Sequence, residues 1–255
     1  MTEPTSGQEE SDVPLLQIGS GIAVPFESGF DYRETPKPKV DINFVFDTTG
    51  SMSDKLDGLI ASVVDLVRDL ASLNLNWRVT TIPFGDLTVP RDRVVTDQPF
   101  VTTRAEAERQ LRTMPRFGGG GNMGESSLEA MDAALKKKYR SDAVKVLVLI
   151  TDEPSLENAT FKMDKTGQQL RQAEVICFVV SPDLPYFRHW ATDCGGAWAL
   201  IGQTMDTVYL RQLFRELVRQ VATVASDVYQ LAGGSVKEYL ALPSRPDRSI
   251  GAGGN

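Results

Sequence analysis

Histidine is nearly missing from this chain: its 255 residues include one, His189. Hydrolytic zinc sites and Ser-His-Asp centres both lean on imidazole, so neither chemistry is expected. Cysteine is scarce too. Cys177 lies inside an apolar run and reads as a small hydrophobe, and Cys194 is its lone companion. Two thiols make no disulfide framework, and a reducing compartment fits such usage. Positive charge is in deficit, with 27 Lys and Arg against 34 Asp and Glu, a net charge of −7 and a pI near 4.9. Binding nucleic acid needs a basic patch to neutralise phosphates, so that partner class is disfavoured. No apolar run approaches the roughly 18 residues that a membrane span requires. The polar, acidic first residues do not form a basic-then-apolar leader. The expected setting is therefore cytoplasmic, with neither nucleic acid nor membrane as partner.

What is present is ordinary globular material. Hydrophobic residues make up 41% and charged residues 24%, enough to bury a sizeable core. Residues 1–39 read as an N-terminal tail or arm, closed by the stiff Pro36-Lys37-Pro38-Lys39 lead-in. The folded domain is expected over residues 40–231. Residues 232–255 are expected as a flexible tail, because the end is rich in Pro, Gly and Ser.

Within the domain, apolar runs and helical periodicities alternate. Strands are expected at 40–46, 77–84, 144–150, 175–180 and 196–201, with a short edge strand at 100–102. Helices are expected at 55–70, 104–114, 125–138, 163–172, 186–192 and 207–229. In the first of these, Leu56, Leu59, Ile60, Val63, Val67 and Leu70 recur at spacings of three and four. Such alternation predicts an α/β fold: a doubly wound, mainly parallel six-stranded sheet with helices on both faces, Rossmann-like in layout. No internal repeat is present. The Gly-x-Gly-x-x-Gly of a dinucleotide site is missing after the first strand.

The chemistry gathers at strand ends. The first strand stops on Asp47, and Thr49 and Ser51 follow at alternate positions before a helix begins. The most apolar strand ends in Thr151-Asp152-Glu153-Pro154. Between them lies a run of four glycines, 118–121, leading to Asn122, Met123, Gly124 and Glu125. Asp, Thr and Ser are hard oxygen donors suited to Mg²⁺ and similar cations. Taken singly they are also common turn formers, and Ser53 reads as a helix cap. Two carboxylates and two hydroxyls would leave a divalent ion under-coordinated. Water fills the remaining positions, and a carboxylate from another protein can displace one such water.

The order strand, Asp47-x-Thr49-x-Ser51, helix, glycine-rich loop, strand, Thr151-Asp152 resembles the von Willebrand factor type A domain, which integrin inserted domains share. The resemblance covers about residues 40–230 and is nearest to bacterial cytoplasmic members. The family pattern is Asp-x-Ser-x-Ser, and the threonine here keeps the hydroxyl. The resemblance implies a metal-ion-dependent adhesion site. Asp47, Thr49 and Ser51 would approach the cation directly or through water, and Asp152 mostly through water. Asn122 stands where the family places Thr or Asp, and its neutral amide oxygen is a weaker donor. The implied ion is Mg²⁺, or Mn²⁺ or Ca²⁺. The implied partner is a protein that supplies an Asp or Glu carboxylate, in a setting such as an AAA⁺-type ATPase or a regulatory complex. The competing reading is a Mg²⁺-dependent phosphohydrolase with Asp47 as nucleophile. That chemistry calls for a second acid two residues on, where this chain has Thr49.

Overall fold

The computed structural model describes residues 15–18, 22–25, 37–73, 75–121, 124–201 and 207–243. Residues 1–36 form a unit of their own, in which Leu15–Ile18 (β1) and Ile22–Pro25 (β2) pair antiparallel as a hairpin. The second unit begins at Lys37 and carries the domain.

Its elements follow in strict alternation. Lys39–Asp47 (β3) runs through a single 3-10 turn, Gly50–Met52, into Ser53–Ser72 (α1). Asn76–Phe84 (β4), Arg104–Arg112 (α2), Ser127–Leu135 (α3), Val144–Ile150 (β5) and Met163–Gln172 (α4) come next. Val175–Ser181 (β6), Pro185–Asp193 (α5), Trp198–Leu200 (β7), Thr207–Ala232 (α6) and Val236–Ala241 (α7) complete the described elements. The strands form one parallel sheet in the order β4-β3-β5-β6-β7.

The apolar runs are explained by burial on both faces. In β3, Val40, Ile42, Phe44 and Phe46 face a core built with α1, α2, α6 and α7. Val45 faces the opposite core, where Leu128 and Met131 of α3, Leu170 of α4, and Phe187 and Trp190 of α5 pack. Strand β5 divides the same way, with Val146 and Val148 to one side and Leu147 and Leu149 to the other. Cys177 and Cys194 are both buried in the second core.

That second face of β3 is not uniformly apolar. At its start Asp41 is fully buried. It accepts from Arg78 Nε and Nη2, both at 2.7 Å, and from the backbone N–H and Nε of Arg140, at 2.7 and 2.8 Å. A two-arginine clamp thus fastens β3 to β4 and to the lead-in of β5. At the opposite end of the same face stands Asp47.

Three details differ from the sequence reading. Among the described residues the sheet has five strands rather than six, because residues 100–102 supply only an isolated antiparallel bridge, Val101 with Val79. The chain turns into α2 at Thr103, whose hydroxyl caps Glu106 N, so no ladder can extend. A second bridge, Val94 with Phe84, helps that segment cover the β4 edge. The stretch from 232 is not all tail: α7 buries Val236 and Tyr239, with Ser235 as its cap. Ser53 makes no cap; it is the first residue of α1, and the 3-10 turn before it makes the entry.

Candidate functional site

The strand order sets the place. From β3 the chain passes to β4 on one side, and later to β5 on the other. Helix α1 packs on one face of the sheet and α3 on the opposite one. The crevice beyond the C-terminal ends of β3 and β5 is therefore the topological switch point, where open α/β sheets bind ligands. Asp47 is the last residue of β3, and Thr151 and Asp152 come directly after β5.

Register does the rest. Phe46 pairs with Ile150, so the next step along both strands sets Asp47 beside Thr151. The Thr151 hydroxyl donates to Asp47 Oδ2 at 2.7 Å. The other oxygen, Oδ1, accepts from Thr49 N at 3.0 Å and from Thr49 Oγ1 at 2.6 Å. Thr49 Oγ1 and Ser51 Oγ lie 3.2 Å apart, and Ser51 Oγ donates to Asp152 Oδ1 at 2.8 Å. Four oxygen-bearing side chains thus follow one another in an unbroken chain from β3 to the β5 loop. Lys55, in the first turn of α1, donates to Asp152 Oδ2 at 2.7 Å and to the Ser51 carbonyl at 3.3 Å.

Asp47 is fully buried, and burial pushes its carboxyl up from the usual range to about 6 despite the hydrogen bonds from Thr49 and Thr151. Glu125 is more perturbed. It is only 4% exposed, and burial, then the negative charge of Asp47 and Asp86, raises it to about 8. Its Oε2 has no hydrogen-bond partner among the described residues.

The backbone around these groups is fixed. Phe117 N donates to Thr48 O at 2.8 Å, and the glycine run then passes close to Thr49. Gly119 has a φ of +74°, and a Cβ there would lie 3.1 Å from Thr49 Cβ and 3.2 Å from Glu125 Oε1. Positive φ and close approach both call for glycine. Asp92 holds the loop through Gly119 N at 3.0 Å and Asp86 N at 3.2 Å. Asp86 is tied up locally, accepting from Thr88 N and Oγ1 at 2.8 and 2.7 Å. Glu125 is not yet helical. Its N–H donates to Pro154 O and its carbonyl accepts from Leu156 N, so the segment before α3 is clamped to the β5 loop.

Of the residues nominated from sequence, Asp47, Thr49, Ser51 and Asp152 come together; Asn122 lies outside the described residues. Three further members were not singled out. Thr151 required the register of β3 and β5. Glu125 was legible only as the acid closing the glycine-rich loop. Lys55 had a faint signal, four residues after Ser51 on a helix whose side chains lean back toward its N-terminus. Among the described residues, no three carboxylate, thiol or imidazole groups converge as a cluster able to hold a metal by themselves. The donor set at the strand ends is instead carboxylate mixed with hydroxyl.

Comparison with known proteins bears on this arrangement. Residues 41–192, more than half of the chain, match the von Willebrand factor type A domain. The chain belongs to that family. Among solved structures, it is similar to proximal thread matrix protein 1 of the mussel byssus. The TM-score is 0.52 and the identity 15%, with 72% of this chain and 46% of that one covered. This chain thus spans under half the length of that protein, and the likeness is one of fold. Searching curated proteins finds no match. Type A domains generally serve as protein–protein interaction modules, and β3, β5 and the loops just described are the core of this one. No helix among the described residues is long and apolar enough to cross a membrane.

Proposed function

We propose that this type A domain binds a partner protein through a divalent cation held at the ends of β3 and β5. In this reading Asp47, Thr49, Ser51 and Asp152 hold the ion, and the sequence nominates Asn122 to join them. The ion's open position takes an Asp or Glu carboxylate of the partner.

The observation that carries the reading is the run of oxygens. Successive separations are 2.6 Å from Asp47 Oδ1 to Thr49 Oγ1, 3.2 Å to Ser51 Oγ and 2.8 Å to Asp152 Oδ1. Neighbouring ligands around Mg²⁺, each 2.0–2.1 Å from the ion, sit about 2.9 Å apart in an octahedron. The donors are all hard oxygens, and none is the soft sulfur that selects zinc or copper. Asp47 also has the environment of an anion that lacks its counter-ion, being buried and pushed up to about 6. The residues therefore fit the group. The cation supplies Lewis-acid attraction for an incoming carboxylate. The chain's own contribution is orientation: Thr151 and the Thr49 N–H hold Asp47 so that its charge faces the loop.

The phosphohydrolase reading gains nothing from the geometry. The residue two positions after Asp47 is Thr49, and its hydroxyl donates to Asp47 itself. A cytoplasmic regulatory assembly, with an AAA⁺-type ATPase as one form of it, is the setting this reading favours.

Calorimetry with Mg²⁺ and Mn²⁺ tests the reading. Asp47→Ala is expected to abolish binding while circular dichroism stays unchanged; equal binding by wild type and variant would refute the site. Partner capture is expected to be lost in EDTA, and capture at full strength in chelator would refute the metal bridge.

A further inference from the structure

Lys55 is the basic residue at the strand ends, and the cation reading does not use it. Its ammonium lies 2.7 Å from Asp152 Oδ2 and 3.3 Å from the Ser51 carbonyl. The Lys55 and Asp152 side chains are only 8% and 9% exposed. A lysine is seldom buried, because its ammonium is strongly hydrated and its desolvation is recovered only through a well-made partner. The place is unfavourable in a second way. Lys55 is the third residue of α1, where the helix macrodipole favours anions and disfavours a cation. Residues that break a local rule in this manner collect at functional sites.

The consequence for Asp152 is specific. Ser51 Oγ occupies one of its oxygens and Lys55 the other. Asp152 is thus held and neutralised from within the chain, and a divalent ion entering beside it meets a fixed positive charge on the same carboxylate.

We infer that Lys55 is a tethered counter-cation that positions Asp152 and weakens divalent-ion affinity at this site. The inference rests on the cation reading above. It makes the adhesion site one that holds its ion more tightly once a partner's carboxylate is present, since that carboxylate offsets the repulsion that the ion alone meets. Both charges lie within one loop and one helical turn, so the effect needs no movement of the fold.

Removing the charge while keeping the side chain's length isolates the effect. Lys55→Met is expected to tighten Mn²⁺ binding by about tenfold or more in calorimetry, because unit charges a few ångströms apart in a partly buried site interact strongly. Lys55→Arg, which keeps the charge, is expected to stay near wild type. The gain is expected to be larger for Tb³⁺, followed by its luminescence, than for Mn²⁺, since repulsion scales with ionic charge; a purely structural role would not order the ions. Urea unfolding checks that each variant is folded, and Lys55→Gln replaces Lys55→Met if the latter does not fold. Tighter binding that vanishes in Lys55→Met/Asp47→Ala supports the inference, even if wild-type binding alone is too weak to measure. Equal or weaker binding by Lys55→Met, with wild-type binding still lost in Asp47→Ala, overturns the role of Lys55 and leaves the cation site standing. Absence of binding in both wild type and Lys55→Met overturns the site and the inference together.

Discussion

Replacing Glu125 with glutamine tests the electrostatics of the strand ends without touching any of the oxygens assigned to the cation. Glu125 is almost wholly buried, its Oε2 has no hydrogen-bond partner among the described residues, and its carboxyl is raised from 4.5 to about 8. The sign follows from proton linkage. Below about pH 4.5 both folded and unfolded chains hold the proton, and Glu125 imposes no pH-dependent penalty. Between 4.5 and about 8 the unfolded chain has lost the proton while the folded chain keeps it, so stability falls as pH rises. Above about 8 the loss is complete, and the folded chain carries an uncompensated anion beside Asp47 and Asp86. A shift of that span corresponds to at most about 4–5 kcal/mol. Relaxation of the surrounding loops recovers part of that penalty, and about 2 kcal/mol is the expected size.

Glutamine has nearly the same shape and cannot ionise, and its amide N–H donates toward the neighbouring carboxylates. In EDTA, urea unfolding of Glu125→Gln is therefore expected to match wild type near pH 4.5 and to exceed it by about 2 kcal/mol near pH 8.5. Saturating Mg²⁺ is expected to narrow the gap, because a nearby cation lowers a carboxyl's pKa. A difference that stays constant across this pH range, or a variant less stable than wild type at the alkaline end, would refute the reasoning.

The remaining predictions concern the frame that holds the site. Asp41→Ala is expected to cost about 3–5 kcal/mol in urea unfolding, since it leaves two partly buried arginines, Arg78 and Arg140, without their shared anion; a loss under about 1 kcal/mol would show that the clamp contributes little. Gly196→Ala is expected to cost at least about 3 kcal/mol or prevent folding, because its Cβ would sit 2.1 Å from the Cys177 carbonyl oxygen on β6. A soluble variant with an unchanged unfolding midpoint would contradict that packing.

How much of this was legible in the sequence depends on range. Strands buried on both faces announce themselves, so β3 and β5 stood out as apolar runs, and α4 was expected over the residues it occupies. Local spacing was enough to nominate Asp47, Thr49 and Ser51, because one turn carries them all. Residues 100–102 misled because apolar β-branched character does not say how many neighbours a strand will find, and here Val101 finds one. Helix α7 was hidden by the Pro- and Gly-rich stretch beyond it, although Ser235 and Glu238 form a cap pattern. The rest of the site was not local. Thr151 meets Asp47 only through parallel register. Glu125 was read as a helix start, whereas it forms a bridge with Ser155 and points its acid toward the strand ends. Lys55 was passed over because a lysine on an amphipathic helix is ordinarily a solvated residue.

The two ends of one face of β3 show why the cation reading and the fold's energetics belong together. Asp41 and Asp47 lie six residues apart, on the same side of the strand, and both are fully buried. Asp41 is matched by two guanidinium groups; among the described residues Asp47 receives only neutral donors, from Thr49 and Thr151. A chain selected for stability alone would treat both alike, since a buried carboxylate without a counter-charge is a liability. Among the described residues one lysine stands at the strand ends, but Lys55 pairs with Asp152 and Asp47 has no matching cation. Neutral hydrogen bonds fix the direction of the Asp47 carboxylate without cancelling its charge. That is the condition under which an external cation gains most from entering, because each ångström of orientation is already set and the charge is still unspent. The same feature carries a prediction: burial raises the carboxyls of Asp47 and Glu125, so if the proposed site binds divalent ions, the urea midpoint is expected to climb with the logarithm of ion concentration above the dissociation constant, and a midpoint unchanged by Mg²⁺ or Mn²⁺ would refute this.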